Sequence, residues 1–349
     1  MIESTGLRTL VVLVGIAGAL WFVSSAVRSL VIPRPERVWL TSALFAGARR
    51  VAIVVANRFS DPDRRHRALG AFAPTVLISL PLVWSLGLIA SFAAIFWGLG
   101  GGELSDAIGL SGSSLTTLGF VPATTFVQRM VAIVEGLLGL AIVALVISFL
   151  PTLYATFSRR EVAVGRLTVR SGQPPSPVEF IVRLNLINGL HDVDRRWEQW
   201  EQWFTEIAET HTSFPALVHF RSAERQRSWI TAAESALDTA ALMEALQLAP
   251  DSVHAPTMIR AGYLSLRAIA DHYDIEPELE PDDRESLSID REMYDRLHDA
   301  LVEQGVPISV SKDDGWHHYS GWRINYDRSV LGLSTLVHEV PSHWSEDHG

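Results

Sequence analysis

Charge is almost absent from three long stretches of this 349-residue chain. Residues 9–27 form an uncharged run of 19, residues 68–102 carry no charge, and residues 130–158 are interrupted only by Glu135. A helix needs about 20 apolar residues to cross the ~30 Å hydrocarbon core of a bilayer, so each run predicts a transmembrane helix. The first run follows only Glu3 and Arg8 and lacks the basic start of a cleaved signal peptide, which predicts a retained span. Within it, Gly15-Ile16-Ala17-Gly18 lacks a nucleotide-binding context and predicts helix packing through small residues. Beyond Arg160 the pattern becomes that of soluble amphipathic helices, with few strand signals. The expected architecture is an all-α membrane protein: three transmembrane helices, a re-entrant loop and an α-helical soluble domain.

The loop is the polar stretch ELSDAIGLSGSSLTTLGFVP, residues 103–122, held between the second and third apolar runs. Irregular backbone survives at membrane depth only where protein or water satisfies its N–H and C=O groups, as in a re-entrant pore loop. Glu103 and Asp106 would suit the positive end of a helix dipole in this stretch.

Thr116-Thr117-Leu118-Gly119-Phe120 resembles the filter core T-T-V-G-Y-G of potassium channels. Val134-Glu135-Gly136-Leu137-Leu138-Gly139-Leu140 resembles the inner helix of bacterial two-transmembrane pore-loop channels, where a Glu is followed four residues on by a hinge glycine. The resemblance covers the membrane part only. It implies that a pore helix over roughly 104–116, with Glu103 and Asp106 at its start, leads into a filter whose ion ligands are the Thr117 hydroxyl and the carbonyls of Thr117, Leu118, Gly119 and Phe120. It further implies that Glu135 supports the loop from behind, through hydroxyls such as those of Ser114 or Thr116, while Gly136 and Gly139 provide the hinge. One loop per chain implies a homotetramer. The chain departs from the family at Val121-Pro122, where the pattern has Gly-Asp. A β-branched residue in a left-handed turn costs roughly 1–2 kcal/mol, so this departure bears on the outermost site and on K⁺ selectivity.

Charge separates the chain into two solvents. Residues 1–158 carry 11 basic and 7 acidic residues, and residues 159–349 carry 18 and 32. Arg34, Arg37, Arg49, Arg50, Arg58, Arg64, Arg65 and Arg67 fill one connection, and Arg159-Arg160 follows the last run. By the positive-inside rule both are cytoplasmic, which places the N-terminus outside and the C-terminus in the cytoplasm. The domains expected are a first transmembrane helix (1–33), a basic segment (34–67), a pore domain (68–158) and a helical cytosolic domain (159–349). In the basic segment, Trp39, Leu40, Leu44, Val51, Val54 and Val55 share a helical face, predicting either an interfacial helix on the anionic inner leaflet or a helix packed on the cytosolic domain. Pro74 and Pro81 predict a kink in the second span; Pro151 marks either a gate or a structural stop. Lys312 is the only lysine among 29 basic residues, a codon pattern of a GC-rich bacterial genome and hence of an inner-membrane protein.

In the soluble half, helices are expected near 177–190, 192–210, 229–248, 254–273 and 288–304, with a last one within 318–338. Ser176-Pro177 with Glu179 has the form of a capping box. Trp197, Trp200 and Trp203 form an aromatic stripe suited to core or subunit packing. Residues 274–283 are acidic and hold two prolines, as an exposed connector does. The i,i+5 spacing of His338 and His343, with Pro341 between them, does not make an H-E-x-x-H zinc site, and His317-His318 lies in an aromatic cluster. There is no cysteine. Ser113 and Ser114 have no histidine in a spanning helix to activate them, so no enzyme is expected. No cofactor, no metal beyond a permeant monovalent cation and no nucleic acid is implied; the partners are membrane lipid and further copies of the chain. The reading from another class is a non-conducting receptor or scaffold whose cytosolic bundle binds a partner, which Val121-Pro122 favours.

Overall fold

The computed structural model describes residues 2–32, 38–100, 102–276, 280 and 284–338. Arg34, Glu36 and Arg37 of the basic segment, most of the second half of the 274–283 connector and the 338–343 motif beyond His338 lie outside the described residues. Among the described residues the chain is helical with no strand. It divides into two compact units, Met1–Tyr154 and Ala155–Gly349.

The first unit holds α1 (Ile2–Leu30), α2 (Trp39–Ala56), α3 (Pro62–Gly98), α4 (Leu104–Leu115) and the beginning of α5 (Phe126–Ser171). Four of these, α1, α2, α3 and α5, are long and apolar enough to cross a membrane; the amphipathic segment of the sequence thus qualifies beside the three apolar runs. α1 runs antiparallel to α3. A Cβ at Gly15 would lie 2.6 Å from the Ser91 carbonyl and one at Gly87 would lie 2.2 Å from the Phe22 ring, so small residues set the spacing. The fully buried Trp84 completes the seam, its indole N–H donating to Ser25 Oγ at 3.2 Å.

α2 takes over where α1 stops. The Ser29 and Thr41 hydroxyls lie 2.7 Å apart, and Ala52 and Ala56 bury against Leu69 of α3. The contacts of α1 run from Gly98 back to Trp84, and those of α2 continue to Leu69. The two helices therefore lie end to end along α3. Asp61 opens α3 by accepting from the Asp63 N–H at 3.1 Å ahead of Pro62. Pro74 and Pro81 lie inside α3 and Pro151 inside α5, each without interrupting its helix.

The second unit is built around α8 (Trp229–Ala245), which is buried along nearly its whole length, with α6 (Pro177–Leu186), α7 (Asp194–Ser213), α9 (Ala255–His272), α10 (Arg291–Glu303), α11 (Lys312–Arg323) and α12 (Asp327–Val337) about it. Ser176 caps α6 by accepting from the Glu179 N–H. The reciprocal arm of the expected capping box is not made: the Ser176 N–H donates to Ser171 O, and Glu179 pairs with Arg183. Trp197, Trp200 and Trp203 face the core, where Phe180 meets Trp200 at 5.3 Å. The single helix expected within 318–338 is two. The side-chain amide of Asn325 donates to the Gly321 and Trp322 carbonyls and closes α11 before α12 begins.

A guanidinium sits in the middle of this core. Arg323 is fully buried and donates to both oxygens of Asp238 (2.9 and 2.7 Å), to Glu234 (2.9 Å) and to Asp327 (2.7 Å). Tyr319 and Tyr326 donate to Asp238 Oδ1, and the Ser288 amide and hydroxyl donate to Asp327. Burial pushes the Asp238 carboxyl up to about 6, against the pull of Arg323. Breaking such a cluster leaves charge stranded in the core. Arg323→Met should therefore lower the stability of this unit by about 3–5 kcal/mol in thermal unfolding of the full chain, whereas Glu292→Ala, which removes an exposed pair with Arg296, should cost under about 1 kcal/mol. Equal losses would show that the cluster does not hold the unit together.

Where α5 enters this unit, buried Arg160 donates to the Leu217 carbonyl at 2.9 Å and the Phe220 carbonyl at 2.5 Å, and approaches His211 Nε2 at 3.2 Å. His211 Nδ1 lies 2.9 Å from the Ile207 carbonyl, so Nδ1 carries the proton and Nε2 accepts from Arg160. Burial, then the Arg160 charge, holds His211 well below the usual histidine range. The folded state thus keeps His211 neutral while the unfolded chain takes up a proton below about pH 6.5. Its contribution is present above that value and is lost as pH falls, by up to about 1.4 kcal/mol per pH unit. Unfolding midpoints followed from pH 8 to 5 should fall more steeply for the parent than for His211→Gln.

Candidate functional site

The site is the loop that follows α4, whose last turn approaches α5. The Glu103 N–H donates to Asp106 Oδ2 at 3.3 Å, and α4 ends at Leu115 with Thr116 as its C-cap, within one residue of the expected pore helix. The Thr117 N–H donates to Ser114 O at 3.0 Å and the Leu118 N–H to Ser113 O at 3.1 Å, the paired bonds of a Schellman turn. Thr117 takes the left-handed position of that turn at φ 58°, where glycine is usual; a β-branched residue there carries roughly 1–2 kcal/mol of strain. Gly119 is left-handed too, at φ 70°.

Buried Ser113 closes the loop. Its carbonyl also accepts from the Gly119 N–H at 3.3 Å, and its hydroxyl accepts from the Val121 N–H at 3.0 Å. Val121 is thereby tied to α4. Residues 116–120 are all exposed, with Leu118 at 71% and Phe120 at 65%. Among the described residues, no hydrogen bond is accepted by the carbonyls of Thr117, Leu118, Gly119 or Phe120.

The chain then returns through Thr124 and Thr125. Gln128 Oε1 accepts from the Thr124 amide and hydroxyl and from the Thr125 amide, and the Gln128 N–H donates to Thr125 Oγ1 at 3.2 Å. This reciprocal box starts α5. Thr125-x-x-Gln128 carries its signature, which the sequence reading passed over.

Glu135 is fully buried, one helical stripe along α5 from Gln128. Its partner differs from the expected ones. Ser114 donates to Leu110 O and Thr116 to Gly112 O, each hydroxyl bonding back along its own helix, and Ser111 reaches Glu135 Oε1 at 2.5 Å. The Ser111 hydroxyl also lies 3.0 Å from Ile89 O of α3, so one serine joins all three helices. Glu135 Oε2 has no hydrogen-bond partner among the described residues.

Gly136 and Gly139 share the α4-facing side of α5. A Cβ at Gly139 would lie 2.1 Å from the Leu115 carbonyl, and one at Gly136 would lie 3.3 Å from the Ser114 carbonyl. These glycines let the end of α4 approach the α5 backbone. Comparison with family models, with curated proteins and with solved structures finds no match for the chain.

The spacing orders the two glycines. Gly139→Ala should force α4 off α5 and lower the thermal stability of the full chain in detergent, by about 1–3 kcal/mol as for other overpacked sites. Gly136→Ala should cost less, because its neighbour needs to yield only slightly. A larger loss at Gly136 would contradict the packing.

Proposed function

We propose that this protein is a pore-loop monovalent cation channel, similar to potassium channels, whose soluble helical unit assembles or gates the pore. The observation that carries the reading is the set of four consecutive carbonyls, Thr117 to Phe120, left without internal partners at the end of a short helix between two membrane-length helices. Such carbonyls at membrane depth need a partner. A dehydrated cation supplies one, and a ring of carbonyls from four chains would replace its hydration shell. The C-terminal end of α4 points its negative dipole at the same place.

Three spans serve this function: α1, the part of α3 beside it, and the first half of α5. The end-to-end placement of α1 and α2 supports three over four. α3 has 37 residues, about 55 Å at 1.5 Å per residue, whereas a hydrocarbon core is ~30 Å thick. A slab that takes in α1 and its partner length of α3 leaves most of α2 outside it. The arginines of residues 49–67 and Arg159-Arg160 put those ends in the cytoplasm of a bacterial inner membrane, with the N-terminus outside.

The second reading, a non-conducting receptor or scaffold, is favoured by Val121. Its amide is committed to Ser113, and Val121-Pro122 replaces the Gly-Asp of the potassium-channel pattern. One liposome experiment separates the two. Purified protein should form tetramers by native mass spectrometry and pass K⁺ with weak discrimination against Na⁺. Gly119→Ala should abolish flux, and Val121→Gly with Pro122→Asp should raise the K⁺ preference several-fold. Monomers alone, or undiminished flux in Gly119→Ala, would give precedence to the scaffold.

A further inference from the structure

We propose that α2 and the first half of α3, residues 39–80, form a hairpin that lies in the headgroup region of the inner leaflet and binds anionic phospholipid. The proposal rests on the three-span reading.

Its starting point is a length that does not fit. The stretch of α3 free of charge begins at Ala68, and the seam with α1 runs from Trp84 to Gly98. If that seam fills the bilayer, the apolar residues before it project past the hydrocarbon core. They do not project as a water-soluble surface. α2 buries only Ala52 and Ala56, and its uncovered side carries Trp39 at 72% exposure, Val51 at 63% and Val54 at 58%. Ile78 of α3 is also uncovered. An apolar face of this size requires a cover.

Charge selects the cover. Residues 38–80 contain Arg49, Arg50, Arg58, Arg64, Arg65 and Arg67 against only Asp61 and Asp63. Arg50 is exposed on the same side of α2 as Val54, and Arg58 follows the helix end. A second copy of the hairpin would bring like charges together. The anionic inner leaflet offers hydrocarbon to the valines and Trp39, and phosphate to guanidinium groups that fit it with paired hydrogen bonds.

The backbone of α3 has the means to bend at the right place. Pro74 and Pro81 remove the N–H groups that would bond one turn back, just where α2 begins and α1 ends. The Thr75 hydroxyl donates to Ala71 O at 2.8 Å and the Ser79 hydroxyl to Val76 O at 2.8 Å, the back-bonding that loosens and bends helices. A bend over 74–81 lets the hairpin leave the direction of the span and lie along the interface.

The chain has no cysteine, so single labels report without background. Spin labels at Ala43, Ala46, Val51, Val54 and Val55 in the full chain would be ranked for depth by oxygen and nickel-complex accessibility. The vesicles would be of phosphatidylcholine with or without phosphatidylglycerol. The expected result is one shallow depth shared by all five labels in phosphatidylglycerol vesicles, and water accessibility without that lipid. Arg50→Gln with Arg58→Gln should lose the shallow depth in both. A depth that deepens through the bilayer centre along the helix would overturn the proposal together with the three-span count. Labels shielded from both reagents, as under a protein partner, or wet in both vesicles, would overturn the proposal alone. Because no ion flux is read, failure of the channel reading leaves this result intact.

Discussion

The turn after α4 depends on one buried residue, Ser113, because a turn needs partners for the backbone N–H groups that the helix no longer pairs. Its carbonyl takes two amides and its hydroxyl a third, so Leu118, Gly119 and Val121 are satisfied from one buried residue. Among the described residues, the carbonyls of residues 117–120 accept no hydrogen bond in return. The turn that achieves this places Thr117 in a left-handed conformation at a cost, and strain of this kind persists only where neighbours over-determine it. Here the neighbours are the Leu115 carbonyl against Gly139 and Ser111 against Glu135 and Ile89, which fix the end of α4 beside α5 and α3.

Much of this was legible in the sequence, and what was not has a physical reason. The bounds of α4 follow the pore helix that the resemblance implies, and Glu103 and Asp106 agree with it because caps and dipole charges act within a few residues. Glu135 stood out because a carboxylate among apolar residues needs a partner. Which serine it meets could not be read: Ser111, Ser114 and Thr116 lie on one short helix, and only the approach of α5 decides among them. Gly136 and Gly139 match the hinge glycines of the resemblance, and the close approach of the Ser114 and Leu115 carbonyls gives them a packing role that spacing alone does not reveal. In the soluble half the helices fell close to their expected positions, except where Asn325 ends α11 by a side-chain bond that no Gly or Pro announces.

The buried Arg323 cluster was equally invisible, since Glu234, Asp238, Arg323 and Asp327 look like ordinary surface charges along their helices. Their burial makes sense only once α8 is known to be surrounded. An Ala-rich helix such as α8 supplies close packing but little to specify which neighbour packs where. A guanidinium with three carboxylates, two tyrosines and a serine accepts only one arrangement of α8, α11, α12 and the segment at Ser288, because any other strands a charge. The cluster therefore contributes uniqueness of arrangement as much as stability.

Arg160 does on a smaller scale for α5 what Arg323 does for α8. It lies on the same unbroken helix as Glu135 and Gly139, and its donors close the carbonyl end of the short 3-10 turn Pro215–His219, with Phe157 and Trp229 against its plane. A rotation of the α5 segment around Arg160 would break bonds to Leu217, Phe220 and His211 together, leaving buried acceptors unmet. The 3-10 turn must therefore either follow that segment or resist it.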